Sequence, residues 1–522
     1  MDATASAPGR GPSRRSVLRL AGLAVPAVAL SGLLTGCGED RAAPSGRRTL
    51  RVSQPGEPRT LDPQKQGDMP SMNVLLNIFD TLTGRDEDNA LVPRLALEWA
   101  AVDDLTWRFR LREGVTFHNG EPFDAQTVKF SIERLLNPDT ASPIVELRYV
   151  TGVTVVDPYT VDLNTSQPDP IIPEKLSLFG GVMVPPGYLR ETGDAGFAEH
   201  PVGCGPFRFV EYQRAVRIEL TAYAEHWAGP PAVDTLVFTP VPNPASALAA
   251  LQSDEVDLVT GLVPDAALQL QGYPGVEVTH HPGIRTSYLS LDTEDPVLSD
   301  KRVRQALNHA VDVPQLIEAV LDGKAREVPT MIPRESFGFD ESVQPYPRDL
   351  DRARELLAEA GHPDGFRTTL TASNADAFVA QAISGLLARV GVDARVELLD
   401  PAIYSERLTS DNRRALGPVY LAASTGWTLD GASNVQSNVR RDRRQSRWTS
   451  DEADALIDAE ELSVDPDRRR AAFAALQRLL KEEAPFVFLY QIDTILVHND
   501  RVAWRPNVTG ALAMDRAEVT DV

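Results

Sequence analysis

LALEWAAVDDLTWRFRLREGVTFHNGEPFDAQTVKFSIERL, residues 95 to 135, carries three kinds of local order in one run. Leu105, Trp107, Phe109 and Leu111 alternate with Thr106, Arg108, Arg110 and Arg112, which predicts a strand with one apolar and one polar face. Asn119-Gly120 supplies the positive-φ pair of a tight hairpin turn. Asp124 is placed to cap a helix on which Val128, Ile132, Leu135 and Leu136 share one side.

Outward from this block the chain keeps alternating strand and helix. A strand is expected at 49 to 53, a helix near 71 to 82, and a hairpin around Asp157-Pro158. Phe207 and Phe209, then Val216, Ile218 and Leu220, mark two more strands. Ser299 or Asp300 caps a helix with Val303, Leu307, Ala310 and Val311 on one face, and Gly323 closes the helix that follows. A last helix begins with Asp465 as cap and Pro466 at its first position, buries Phe473, Leu476, Leu479 and Leu480, and ends at Pro485. Strands at 486 to 490 and 495 to 498 follow. Such alternation implies α/β lobes, and 522 residues are enough for two or three domains.

As strings, residues 95 to 135 and the later run DKRVRQALNHAVDVPQLIEAVLDGKA resemble blocks of the family 5 extracytoplasmic solute-binding proteins, the dipeptide, oligopeptide and nickel receptors of ABC importers. The resemblance extends in matched order over nearly the whole chain after residue 48. It implies an α/β, two-lobe clamshell of the periplasmic-binding-protein type, with an extra domain inserted in lobe I. Carried over, lobe I combines 48 to 85, 200 to 291 and 493 to 522; the extra domain is 86 to 199; lobe II is 292 to 492, with crossings near Leu291 and Asp493. Peptide-binding members place a Trp-x-x-Asp segment in the cleft, where the Asp receives the ligand's ammonium group. Gly426-Trp427-Thr428-Leu429-Asp430 matches that segment, so Gly426, Trp427, Thr428 and Asp430 are the candidate ligand-binding residues, with Tyr490 and Tyr288 near the crossings as weaker candidates. A carboxylate facing an ammonium forms a charge-assisted hydrogen bond. A core Trp beside a surface Asp is the competing reading, and the acidic, Pro-containing run that often follows is replaced by Gly431-Ala432-Ser433-Asn434. The implied ligand is a short peptide; nickel chelates, oligosaccharides, or a peptide signal sensed rather than imported are the alternatives. The implied partner is an ABC permease, and a monomer is expected.

The N-terminus gives an address. Ser13-Arg14-Arg15-Ser16-Val17-Leu18-Arg19 fits a twin-arginine export pattern, and 20 to 34 is an uncharged apolar run too short to span a bilayer. Leu34-Thr35-Gly36-Cys37 resembles a bacterial lipobox, so Cys37 is expected to be acylated and to hold the protein on the outer face of the cell membrane through a tether at 38 to 47. The formal net charge of -22 argues against nucleic acid or anionic lipid as a partner. With Cys37 lipidated, Cys204 stands alone and is read as a small buried residue.

Catalysis has little to rest on. Gly-x-Ser-x-Gly, Ser-x-x-Lys and His-Glu-x-x-His motifs are absent from the chain. His280-His281 are adjacent, so they do not share one helix face for a metal. Asp86, Asp88 and Asn89 lack the glycine and terminal glutamate of a calcium loop. No enzyme activity, cofactor or metal site is expected. Arg440, Arg441, Arg443 and Arg444 form a basic cluster, read as a solvated loop or, more sharply, as a rim that steers carboxylates.

Overall fold

In the 95–135 block the polar caps are made between close neighbours in sequence. Asp124 accepts from the backbone N–H of Gln126 and Thr127 at 2.9 and 3.0 Å, and the Thr127 hydroxyl completes a capping box for the helix Ala125–Leu136. Val128, Ile132 and Leu135 are buried on its inner face. The strand is Thr106–Leu111, with Phe109 and Leu111 buried. Leu105 falls in the turn before it and is exposed. Only Gly120 of the Asn119-Gly120 pair takes a positive φ, 85°, and its N–H bonds the Phe117 carbonyl at 2.8 Å. The turn is therefore a helical-type turn closed by one left-handed glycine.

The computed structural model describes residues 48–262, 267 and 269–520. The expected export signal, lipid-attachment residue Cys37 and tether lie outside the described residues. Among those described, no helix is long and apolar enough to cross a membrane.

Two long strands, Val276–Leu291 and Phe486–Asn499, pair antiparallel in the middle of an eleven-stranded mixed sheet. On one side of the pair run Leu258–Val259, Thr49–Gln54, Thr235–Pro240, Arg217–Ala222 and Phe207–Gln213. On the other run Val419–Thr425, Phe366–Ser373 and Val392–Leu399. A separate four-stranded antiparallel sheet is built from Ala96–Asp103, Thr106–Leu111, Thr160–Thr165 and Val150–Asp157, in that spatial order. Each part has its own core. Leu50, Ile78, Phe79, Phe207 and Phe238 pack in the first lobe, and Phe109, Val128, Ile132 and Leu163 under the four-stranded sheet. Leu289, Leu307, Leu370, Ile383 and Val487 pack in the second lobe. Burying such side chains contributes roughly 1.5–3 kcal/mol each.

Leu291 is fully buried in the second-lobe core, whereas Val276 and Val278 of the same strand pack with Ile495 and Val497 of the first. Asp493 is paired with Pro282, so the change of packing along the two strands falls at the same level on both, near Gly283. Asp300 and Asp465 cap the helices Lys301–Ala310 and Pro466–Glu483 as their sequence context implies. The helix Val313–Leu321 is ended by Asp322 in the left-handed region at φ 51°, just ahead of Gly323. Cys204 is buried, and burial pushes its thiol pKa up. The glycines on either side are required there: a Cβ at Gly203 would lie 2.0 Å from the Ile78 carbonyl oxygen.

Candidate functional site

The crossing strands do not run in perfect register. Between Pro282 and Arg285 the pairing with Asp493 and Ile492 slips, so Gly283 and Ile284 form an extra step. Gly283 lies so close to the partner strand that a Cβ would approach the Ile492 carbonyl oxygen to 2.5 Å. Gln491, fully buried, donates from Nε2 to the Gly283 carbonyl and to Glu335 Oε2, both at 2.5 Å. Such a bulge re-aims the side chains beyond it. From Gly283 to Leu291 every residue is buried except Arg285.

Beside this step lies a cavity of about 520 Å³. Met69, Pro70 and Asn73 line it from the first lobe, Thr425 and Trp427 from the second, and Ile284, Arg285 and Ile492 from the crossings. A space of this size between lobes is of the kind that holds small ligands. Trp427 is half-buried and packs with Ile284, Leu429 and Val508. Leu429 is held at φ 55°, an uncommon conformation for a branched residue. Its carbonyl accepts from Phe337 N–H, and Gly431 N–H bonds the Phe337 carbonyl, both at 2.9 Å, which pins the loop.

Asp430 does something other than face this cavity. It is 2 % exposed and caps the helix Gly431–Asn438, accepting from Ala432 N–H at 3.0 Å. Both carboxylate oxygens accept from Arg469, at 2.8 and 2.9 Å. In this arrangement the Asp430 carboxylate is satisfied inside the second lobe, with Arg469 where an ammonium was expected. The physical reason is local, because the helix starts at Gly431 and makes Asp430 its cap. Arg469 also donates to Glu460 Oε2 at 3.3 Å and lies over the Phe337 ring, 4.9 Å from its centroid. From the strand Thr83–Arg85, the Arg85 guanidinium donates to the Thr428 carbonyl and so ties the loop to the other side of the cleft. Burial and the Asp430 charge push Glu174 up to about 7 and Glu460 up to about 8, against the neighbouring arginines.

Residues 90–444 match the model of the bacterial extracellular solute-binding proteins, family 5. The chain belongs to that family. This family 5 protein is 29% identical to the glutathione-binding protein GsiB of Salmonella typhimurium over 454 residues, 84% of this chain and 88% of GsiB. Among solved structures, it superposes on HbpA2 of Haemophilus parasuis with a TM-score of 0.81 at 23% identity, covering 90% of this chain and 100% of that one. On the ABC transporter-associated periplasmic binding protein DppA of Helicobacter pylori, in complex with the peptide STSA, the TM-score is 0.74 at 25% identity, with 91% and 98% covered. The fold is the two-lobe one of periplasmic binding proteins. Family 5 proteins are the solute-binding components of ABC importers for peptides or related ligands.

Of the residues singled out from sequence, Trp427 alone lines the cavity of this family 5 protein. Gly426 and Thr428 shape its loop: a Cβ at Gly426 would meet Asn434 Oδ1 at 2.7 Å, and Thr428 is 4 % exposed. Neither of the two tyrosines lines the cavity. Tyr288 is buried, donates to Asn438 Oδ1 at 2.8 Å and packs edge-on against Phe486. Tyr490 is 3 % exposed in the second-lobe core. Both sit on strands whose two faces are covered. The arginine cluster is no free rim either: Arg440 pairs with Asp458 and Glu461, and Arg441 with Asp451 and Asp454. Among the described residues no group of three His, Cys, Asp or Glu is arranged to hold a metal ion. Sequence reading missed Arg285 and Asn73. The only signal for Arg285 was a lone cation in the otherwise uncharged run Gly283-Ile284-Arg285-Thr286-Ser287-Tyr288.

Proposed function

We propose that this protein is the membrane-anchored receptor of an ABC importer, acylated at Cys37, and that it captures short peptides or peptide-like solutes between its lobes for delivery to the permease. The observation that carries the reading is the cavity of about 520 Å³ lined from both lobes and from the crossing strands. A ligand there touches all three, so it binds the closed arrangement better than an open one, which is the differential contact a receptor needs to report occupancy. The relatives support peptides as the class: one is named for glutathione, a tripeptide, and another holds the peptide STSA. Trp427 supplies an apolar platform for a side chain.

Thermal-shift screening with di- to pentapeptides, glutathione, nickel chelates and oligosaccharides tests the class. A ligand at 100 times its dissociation constant adds about 2.7 kcal/mol of stability. The expected hits are peptides or glutathione; stabilisation by chelates or sugars alone overturns the peptide assignment. For the anchor, Cys37→Ser is expected to move the protein from the membrane fraction to the soluble one.

A further inference from the structure

Arg285 stands apart from the arginines held inside the lobes. Arg94, Arg304 and Arg469 each bind two or more acceptors, whereas the salt-bridge contact made by Arg285 is Asp376 Oδ2 at 3.9 Å, beyond hydrogen-bond reach. Its side chain is 49% exposed, and the surface it faces is the cleft cavity. Among the described residues lining that cavity, Arg285 carries the only charge. Across the cavity, on the helix Met69–Ile78, Asn73 is 4 % exposed. Its Nδ2 donates to Gln54 Oε1 at 3.3 Å, and its Oδ1 is buried with no hydrogen-bond partner. The second lobe's candidate for an ammonium, Asp430, is closed off by Arg469.

From this arrangement we infer that the cleft selects acidic ligands, with Arg285 taking a ligand carboxylate. The inference rests on the reading of this cavity as the ligand site and adds the ligand's chemical class. A guanidinium receives both oxygens of a carboxylate in parallel, which fixes orientation as well as charge. The free ammonium of a peptide is then dispensable, while its C-terminal carboxylate, or the second carboxylate of a γ-glutamyl peptide, is not. Trp427, Ile284 and Ile492 leave the middle of the site apolar.

Titration calorimetry on the full-length chain decides it, with glutathione, glutathione diethyl ester, trialanine, trialanine amide, N-acetyl-trialanine and succinate as probes. Masking the carboxylates is expected to weaken binding roughly tenfold to a hundredfold, as loss of a hydrogen bond to a charged group does. N-acetylation is expected to change affinity less than about threefold, since no charge-assisted contact is lost. Arg285→Gln should erase the difference between acid and masked acid, and Arg285→Lys should keep part of it. Thermal melts of Arg285→Gln should match the unsubstituted chain, because Asp376 is held only loosely. If acid and masked acid bind alike, or their ratio survives Arg285→Gln, the inference is overturned while the peptide reading stands. Arg285-dependent binding of succinate with no peptide bound keeps the inference and overturns the peptide reading. Binding of none of the six probes overturns both.

Discussion

Two buried carboxylates, Asp80 and Asp430, each gather a cluster, and the clusters differ in balance. Asp80 in the first lobe accepts from Arg94 at 2.7 and 3.1 Å, from Trp227 Nε1 at 2.6 Å, and pairs with His226 Nε2 at 2.9 Å. Burial alone would raise its pKa, but the Arg94 charge and then His226 bring it down to about 2. Arg94 is shared with Asp515, which fastens the chain's end to the same hub. Around Asp430, three carboxylates (Asp430, Glu174 and Glu460) share Arg469 and Arg85. Glu174 Oε2 is buried with no partner. One cluster is matched donor for acceptor. The other holds more acid than base, and it is the one that bridges to the cleft loop. A buried ion pair by itself says little about stability, and what decides is whether each group is compensated.

Breaking the matched cluster should have the largest effect. Asp80→Asn leaves Arg94 buried with only Asp515, and is expected to lower unfolding free energy by about 3–5 kcal/mol in a urea titration at any pH above 4. Arg469→Met removes the main base from the unbalanced cluster. It is expected to cost about 3 kcal/mol at pH 8.5 and much less at pH 5, because Glu174 and Glu460 then take up protons. Trp227→Phe deletes one donor to Asp80 and should cost roughly 2 kcal/mol by the same titration. Glu460→Gln sharpens the contrast by having the opposite sign. Glu460 is pushed up to about 8 in the folded chain from an unperturbed 4.5, so the folded state binds the proton more tightly. Its contribution to stability is complete below pH 4.5 and is lost as pH rises toward 8. The substitution should therefore stabilise by on the order of 1 kcal/mol at pH 8.5 and change little at pH 4. A loss of stability at pH 8.5 would show that Glu460 is ionised and needed.

How far the sequence could be read follows the same division. The caps Asp124, Asp300 and Asp465 were legible because a cap is a contact with the next two or three residues. The family's blocks made the two-lobe fold legible as well. Asp430 was not, since its role depends on Arg469, 39 positions away, and on how soon a helix begins behind it. Trp-x-x-Asp looks the same whether the acid points into the cleft or into the core. Arg285 was hidden for a different reason: a polar residue in a strand reads as the solvent side of an alternation, and only the slip at Gly283 turns that position toward the cleft. Tyr288 and Tyr490 were drawn toward the cleft by their nearness to the crossings, but strands covered on both faces bury their aromatics regardless of function.

The slip at Gly283 also bears on how the molecule can deform. The two lobes share the same pair of strands, so any change in their mutual angle has to flex a hydrogen-bonded ribbon. A ribbon is most compliant where its rungs are missing. Here that gap falls between the group around Leu289 and Val487 and the group around Val278 and Ile495. Flexing at this point strains neither cluster of packed side chains, and it swings Arg285 about the very spot where the ribbon gives.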